Sequence, residues 1–154
     1  MGDVNADAGS SRRLPGRVLG VDLGSVRIGI ALSDPTRTVA SPHAVLQRSG
    51  SDHAADHRAI AEMAKAEEVT TIVVGLPLSM SGATGPAARA AEIEIDELRR
   101  LVGSNLDVVA HDERLTTVTA ERSLGQARMG RTQRRAVVDK VAAAVMLQSW
   151  LDRS

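Results

Sequence analysis

A single acid, Asp22, interrupts an otherwise apolar run over residues 18–23 near the amino end of the chain. The valines and leucines around it predict a β-strand that is covered on both faces. An ionised carboxylate in such a strand is costly unless a cation or hydrogen-bond donors meet it. Gly24, two residues later, leaves room for another group to approach the backbone. The strand therefore carries an acid towards one end of a sheet, where other parts of the chain must compensate its charge.

Composition narrows the classes of function. The 154 residues are enough for one domain with a single core. There is no cysteine for disulfide or thiolate chemistry, and Trp150 is the only Phe, Tyr or Trp residue, which argues against stacking of bases on aromatic side chains. No apolar stretch reaches the roughly 18 residues that span a bilayer. Residues 1–16 are small and polar, so we expect a disordered tail there and one domain over residues 17–154.

The order of the predicted elements is β-β-β-α-β-α-β-α-α. Three strands within residues 18–46, separated by short turns, are typical of an antiparallel meander. The later elements are helices over residues 52–68, 86–102, 116–127 and 132–151 and strands over residues 71–75 and 106–111. A strand that follows a helix predicts a parallel crossover. We therefore predict a ribonuclease H-like α/β fold, with a mixed five-stranded sheet (three antiparallel strands plus two parallel ones) and helices on both faces.

Acidic residues fall where functional groups gather in such a sheet. Asp22 ends the first strand, Asp112 and Glu113 end the last, and Asp139 lies on the covered stripe of the final helix. Carboxylates that meet at one edge cannot all stay ionised without a cation, and Mg²⁺ or Mn²⁺ suits oxygen ligands. Two such ions can activate a water molecule and stabilise the leaving oxygen of a phosphodiester. The pattern predicts a metal-dependent nuclease, with Asp112 less favoured than its neighbour.

Each acid also has a purely structural interpretation. Asp22 can accept amide hydrogens in the following turn, and Asp112 can cap the helix that is predicted to begin at Thr116. The alternatives for the other two are ion pairs, of Glu113 with Arg114 and of Asp139 with Arg134, Arg135 or Lys140.

The histidines are predicted to be structural. His53 and His57 lie four residues apart on one helix, a spacing that can bind a metal, but no third ligand is nearby and their face is predicted to be solvated. His111 is predicted to end the last strand rather than to carry protons.

Positive charge is concentrated late in the chain. The whole chain has 19 basic and 19 acidic residues, whereas residues 114–140 contain seven basic and two acidic residues. A nucleic-acid backbone would be drawn there with a salt-dependent affinity and without readout of sequence. An ordinary solvated corner between two helices is the alternative. The residues predicted to contact nucleic acid, here called the basic cluster, are Arg114, Arg131, Arg134, Arg135 and Lys140.

Four stretches together resemble the YqgF family of ribonuclease H-fold nucleases, which is also called the RuvX or Holliday junction resolvase family. They are VDLGSVRIG at residues 21–29, VGLPLSM at residues 74–80, DERLTT at residues 112–117, and VDKVAA at residues 138–143 with the Leu-Gln pair at residues 147–148. The second stretch departs from the family pattern, because Ser79 and Ser81 stand where Asn and Asp are expected. That departure affects substrate contacts by the loop and leaves the metal site unchanged.

The resemblance implies that Asp22, Glu113 and Asp139 are the catalytic and metal-binding acids. It implies a cytoplasmic enzyme that trims the 5′ end of precursor 16S rRNA, or else a resolvase of four-way DNA junctions. Both activities need the same acids, so the sequence does not choose between them. A resolvase would be a homodimer, which can cut two symmetric strands. A trimming nuclease can act as a monomer.

Two other classes share the fold. An ATP-binding phosphotransferase or chaperone closes two such domains around its nucleotide, whereas this chain has the length of one and lacks a second glycine-rich phosphate turn. A non-catalytic nucleic-acid-binding module needs no metal. Buried carboxylates would then destabilise the fold without a gain, which argues against this class.

Overall fold

The computed structural model describes residues 15–78, 81–115 and 131–153. The strands are β1 (Arg17–Leu23), β2 (Arg27–Ser33), β3 (Ala40–Gln47), β4 (Val69–Leu76) and β5 (Asp107–Asp112). The described helices are α1 (His53–Ala66), α2 (Pro86–Val102) and α3 (Arg131–Arg153), with single 3₁₀ turns at Gly103–Asn105 and Glu113–Leu115.

The strands form one sheet in the order β3-β2-β1-β4-β5. The first three strands are antiparallel neighbours, while β1, β4 and β5 run parallel. The predicted mixed sheet of five strands is therefore confirmed, and β1 lies at its centre. The three parallel strands end side by side at Leu23, Leu76 and Asp112, and we call this side of the sheet the carboxyl edge.

Alternating side chains place a different helix layer on each face of the sheet. Leu19 and Val21 of β1 pack with buried residues of α1 and α2. Val18, on the opposite face, packs with Leu147 and other residues of α3. Full burial of one such aliphatic side chain stabilises the fold by about 1.5–3 kcal/mol. Helices on both faces were predicted from the element order, and the two cores confirm them.

The helix α3 lies directly on the backbone of β1 and β2. A Cβ atom at Gly29 would stand 2.1 Å from the carbonyl oxygen of Asp139, and a Cβ atom at Gly20 would stand 2.8 Å from Cβ of Leu147. A residue with a side chain at either position would clash with α3. These two glycines therefore set the depth at which α3 packs and bring its early turns down to the carboxyl edge.

Two predictions about helix burial were wrong in part. The few apolar residues of α1 predict a surface helix, yet Asp56, His57 and Ile60 are buried, since polar partners on α2 and just after β3 reach the first two. The many apolar residues over 137–147 predict that α3 is buried nearly all round. Only its second half is deeply packed, at residues such as Met146, while Val137 and Val141 are half-buried.

Some predicted features lie outside the described residues. They are most of the tail over residues 1–16 and the helix over residues 116–127. Within the described ranges, none of the helices has both the length and the apolar character needed to cross a bilayer.

Candidate active site

Asp22 lies at the carboxyl edge on the face that α3 covers. Side chains alternate along β1, so Asp22 shares its face with Val18 and Gly20, both of which adjoin α3. Its neighbour across the antiparallel ladder is Gly29, the residue beneath Asp139. The strand thus carries its only acid to the point where the last helix meets the sheet.

Glu113 reaches the same point from the end of β5. Its side chain makes a hydrogen bond with the side chain of Asp22. The side chain of Glu113 fits there because its neighbour on β4 is a glycine. A Cβ atom at Gly75 would stand 2.4 Å from Oε1 of Glu113. Two carboxyl groups can share a hydrogen bond only when one of them carries a proton. The structure therefore brings together two of the three predicted acids as a protonated pair.

Burial is the main cause of a raised pKa in both members of this pair. Burial raises the pKa of Glu113 to about 8, and the hydrogen bond and negative charge of Asp22 add to that effect. Burial also raises the pKa of Asp22; the charge of Asp139 acts in the same direction, and the hydrogen bond with Glu113 opposes it. At neutral pH the pair holds a proton at a place that would favour a cation.

Asp139 is close enough to raise the pKa of Asp22, yet its carboxylate has another partner. Nε of Arg27, at the start of β2, donates a hydrogen bond of 2.7 Å to Oδ2 of Asp139, and both side chains are half-buried. The predicted structural partners of Asp139 were Arg134, Arg135 and Lys140, so the basic residue found here, Arg27, was missed. The sequence signal for this pair was the position of Arg27 as the first residue of a strand, which places it at the carboxyl edge.

The three acids do not form a three-ligand metal cage in this structure. Across residues 15–78, 81–115 and 131–153, no group of three or more His, Asp or Glu side chains is arranged to hold a metal ion. Asp22 and Glu113 are in direct contact, while Asp139 is joined to them only through its charge and is bonded to Arg27. The donor set still suits a hard cation, because the pair presents carboxylate oxygens and its two pKa values are raised.

Asp112 forms an ion pair with Arg114, and the helix that it was predicted to cap lies outside the described residues. Nη2 of Arg114 lies 2.6 Å from Oδ2 of Asp112, and its Nε lies 2.9 Å from the same oxygen. These bonds lower the pKa of Asp112. Asp112 is thus a stably ionised carboxylate at the surface, in contrast to the protonated pair beside it.

The basic cluster is described only in part. Arg114 is partly exposed and engaged by Asp112, and Lys140 lies half-buried on α3 next to Asp139. Arg131, Arg134 and Arg135 belong to the first turns of α3, but their side chains lie outside the described residues, as does Ser79 of the departing loop.

A buried ion cluster behind β1 was not predicted. Arg48, next after β3, donates from Nη1 and Nη2 to the two oxygens of Glu94 at 2.8 and 2.9 Å and from Nη1 to Asp56 at 3.2 Å. His57, which was predicted to face solvent, is buried and lies 2.9 Å from Glu94. Burial raises the pKa of Glu94, but the bonds from Arg48 and His57 outweigh it and lower that pKa overall. The sequence signal for this cluster was the presence of two acids, Asp56 and Glu94, at helix positions whose other residues are apolar.

His111 supports the packing of α3. Its Nε2 lies 3.1 Å from Oγ of Ser149, and burial lowers its pKa. Its placement on β5 agrees with the prediction of a strand-end residue.

Known proteins resemble this chain over most of its length. A family model described as RuvX, Holliday junction resolvase, matches residues 16–153. The "Putative pre-16S rRNA nuclease" of Halalkalibacterium halodurans is 45% identical over 137 residues, which cover 89% of this chain and 96% of the relative. The protein of the same name from Roseiflexus sp. is 44% identical over 138 residues, which cover 90% and 95%.

The fold has counterparts among solved structures. Thermus thermophilus RuvC in complex with a Holliday junction substrate matches with a TM-score of 0.56 and 13% identity, over 89% of this chain and 95% of RuvC. At that identity the match shows a shared fold, and it confirms the predicted ribonuclease H-like class.

Proposed function

The chain belongs to the RuvX family, described as Holliday junction resolvase, and from this premise we propose that it is a divalent-metal-dependent nuclease that trims the 5′ end of precursor 16S rRNA. Membership in this family and the names of the relatives support a hydrolase that acts on phosphodiester bonds. The rRNA substrate is the one named for relatives that are 44–45% identical. A substrate of this kind gives the protein a cytoplasmic location.

The observation that carries this proposal is the hydrogen bond between Asp22 and Glu113 at the carboxyl edge. Two carboxyl groups with raised pKa values gain when a cation replaces the proton that they share. Their oxygens suit Mg²⁺ or Mn²⁺, and we assign these two residues as the primary ligands. Bound there, such an ion would polarise a phosphodiester and lower the pKa of its own water ligand.

Asp139 completes the proposed set of acids. Its charge already acts on Asp22, and its backbone is held against Gly29 of the sheet. Arg27 is bonded to its carboxylate and supplies the positive charge that a divalent ion would otherwise provide. In our proposal Arg27 and the metal ion therefore compete for Asp139, while the strand and helix backbones keep all three acids at one edge.

The basic cluster is proposed to position the phosphate backbone of the substrate. Lys140 follows Asp139 directly, and Arg114 follows Glu113 directly, so each flanks a proposed ligand. Contacts of this kind attract nucleic acid of any sequence. Replacement of Arg134 and Arg135 by Ala together is expected to weaken RNA binding and to lower the slope of log Kd against log salt by about 2. An unchanged slope would remove these two residues from the proposal.

A second candidate function is resolution of four-way DNA junctions. It is favoured by the description of the family model, Holliday junction resolvase. This activity requires a homodimer with two sites, so that symmetric strands are cut together. The same acids would serve it, and the substrate alone separates the two candidates.

One experiment tests both candidates. Cleavage of a precursor 16S rRNA fragment and of a four-way DNA junction is compared with Mg²⁺ and with Mn²⁺, using wild type, Asp22→Asn and the control Asp107→Asn. Asp107 is an exposed acid at the opposite end of β5. We expect wild type and the control to cleave the RNA, and Asp22→Asn to lose at least about a thousandfold in rate. Preferential cleavage of the junction favours the second candidate, and full cleavage by Asp22→Asn would falsify both.

A further inference from the structure

A cavity of about 340 Å³ lies at the carboxyl edge, on the face of the sheet opposite to Asp22. Its walls are the turn over residues 23–25, Pro77 after β4, and three alanines of α2, Ala87, Ala90 and Ala91. This volume is at the lower end of the roughly 300–1,000 Å³ of pockets that bind small organic groups. No side chain of the proposed metal site lines it, so it is a separate feature.

The polar wall of the cavity is rigid. Arg48 and Glu94 line it, and their side chains are only 6% and 7% exposed. The two parallel bonds between them, at 2.8 and 2.9 Å, fix both side chains in one plane. Asp56 binds the same guanidinium from α1. A wall built this way keeps its shape when the cavity is empty.

The charges of this wall exclude a phosphate as the occupant. One guanidinium faces two carboxylates, those of Asp56 and Glu94, and its donors are directed at them and at the backbone. An anion would meet more negative than positive charge. The remaining lining is apolar or small, apart from Ser25 and the half-exposed His53 at the mouth. The cavity therefore suits a flat, uncharged group with a few polar atoms at its rim.

Arg48 connects this cavity to the acids. Its Nε donates to the carbonyl oxygen of Gly24 at 3.0 Å, and its backbone amide donates to the carbonyl oxygen of Val26 at 2.9 Å. Gly24 lies two residues after Asp22 and also lines the cavity. The turn that forms one wall of the cavity thus directly follows the acid, which lies on the other face of β1.

We propose that the cavity binds one unstacked base of the substrate strand, from a nucleotide next to the phosphodiester held at Asp22 and Glu113. This inference rests on the proposed nuclease function. Proteins that read single-stranded RNA separate individual bases from the stack, and enzymes that act within a helix turn a nucleotide out into a pocket. In this chain the alanines and Leu23 would contact the faces of the base, and Ser25 and His53 its polar edge.

The test measures binding of RNA oligonucleotides that lack a single base. Each carries one abasic site at a successive position around the cleavage point, and Kd is measured with chelator present. Wild type is expected to lose about tenfold in affinity at one position, equivalent to about 1.4 kcal/mol. Ala90→Leu, which fills the cavity from an exposed helix position, is expected to bind intact RNA about tenfold more weakly and to lose nothing further at that position.

The control variant is Ala61→Leu, which fills a cavity of about 430 Å³ at the opposite edge of the sheet. It is expected to behave as wild type. Should Ala90→Leu not fold, as judged by thermal unfolding, Ala87→Leu replaces it, because Ala87 also lines the cavity and is exposed.

The outcomes separate this inference from the function on which it rests. Wild type that cleaves RNA with a divalent ion but has no sensitive position overturns the base-binding cavity alone. Equal sensitivity in wild type and in Ala90→Leu overturns it as well. Wild type that neither binds nor cleaves RNA overturns the proposed function together with this inference.

Discussion

Nε of Arg27 lies 2.7 Å from Oδ2 of Asp139, and this ion pair joins residues that are 112 positions apart in the chain. It fastens the first residue of β2 to the early turns of α3 at the carboxyl edge. It also gives Asp139 a cation from the chain itself, at the same edge of the sheet as the two acids that share a proton. One arginine and one proton therefore offset two of the three negative charges of the site when no metal is bound.

Removal of this arginine should strengthen metal binding. Arg27→Gln leaves Asp139 without its cation, and an interaction of about 1 kcal/mol between nearby unit charges corresponds to an affinity for Mn²⁺ that is about fivefold higher. Isothermal titration of Mn²⁺ into the protein measures the change. The matched control is Arg99→Gln, which removes an exposed ion pair with Asp96 on α2. Weaker binding by Arg27→Gln than by the control would contradict a competition between Arg27 and the metal.

Two glycines at the site should respond differently to the same substitution. A Cβ atom at Gly75 meets the side chain of Glu113, which can rotate away, whereas a Cβ atom at Gly29 meets the backbone of α3. Gly75→Ala should therefore keep most of its stability but lose metal binding, because Glu113 is displaced from Asp22. Gly29→Ala should lose about 1–3 kcal/mol or more of unfolding free energy, since the helix must move. Urea unfolding and Mn²⁺ titration of both variants make the comparison, and equal behaviour of the two would be inconsistent with these contacts.

Much of this fold can be predicted from the sequence because its strands are marked by apolar runs and its turns by glycine and proline. The run around Asp22 predicts a central strand, and the strand–helix alternation after residue 50 predicts the parallel half of the sheet. Both predictions depend on local patterns that the structure preserves.

The missed features depend on contacts between distant residues. The bond of Arg27 to Asp139 crosses from one end of the chain to the other, and the position of Arg27 at the start of a strand does not by itself identify Asp139 as its partner. His57 was predicted to be solvated for the same reason, because the partner that buries it, Glu94, lies on another helix. Patterns along the chain report which residues face a core, but not which polar side chains meet inside it.

The buried cluster around Arg48 should be a major source of stability. Arg48→Gln leaves Glu94 and Asp56 buried with less compensation, and loss of one partner from a buried ion pair costs about 3–5 kcal/mol. The control Arg37→Gln also removes a guanidinium that donates to a glycine carbonyl beside β1, that of Gly16. Its other side-chain partners are uncharged, so a loss of about 1 kcal/mol is expected there. Urea unfolding measures both variants, and equal losses would contradict the burial of charge in the cluster.

The stability of the metal-free protein should fall as pH rises from about 4.5 to about 8. Glu113 has a pKa of about 8 in the folded protein and an ordinary value of 4.5 in the unfolded chain. Across that window the folded state binds more protons, so the free energy of unfolding decreases with rising pH. Glu113→Gln should reduce this slope to the smaller part that comes from Asp22, whose pKa burial also raises. Asp34, whose pKa is lowered to about 2, acts only in more acidic solution. The measurement is urea unfolding in chelator across the window, and parallel curves for wild type and variant would argue against the raised pKa.

The central claim is that Asp22 and Glu113 share a proton which a divalent ion replaces. It is tested most directly by the number of protons released when Mn²⁺ binds, obtained from titration calorimetry at pH 7 in buffers of different ionisation enthalpy. We predict that wild type releases about one proton per ion and that Glu113→Gln releases close to none. Binding of Mn²⁺ to wild type without proton release, or the same release from both proteins, would contradict the claim.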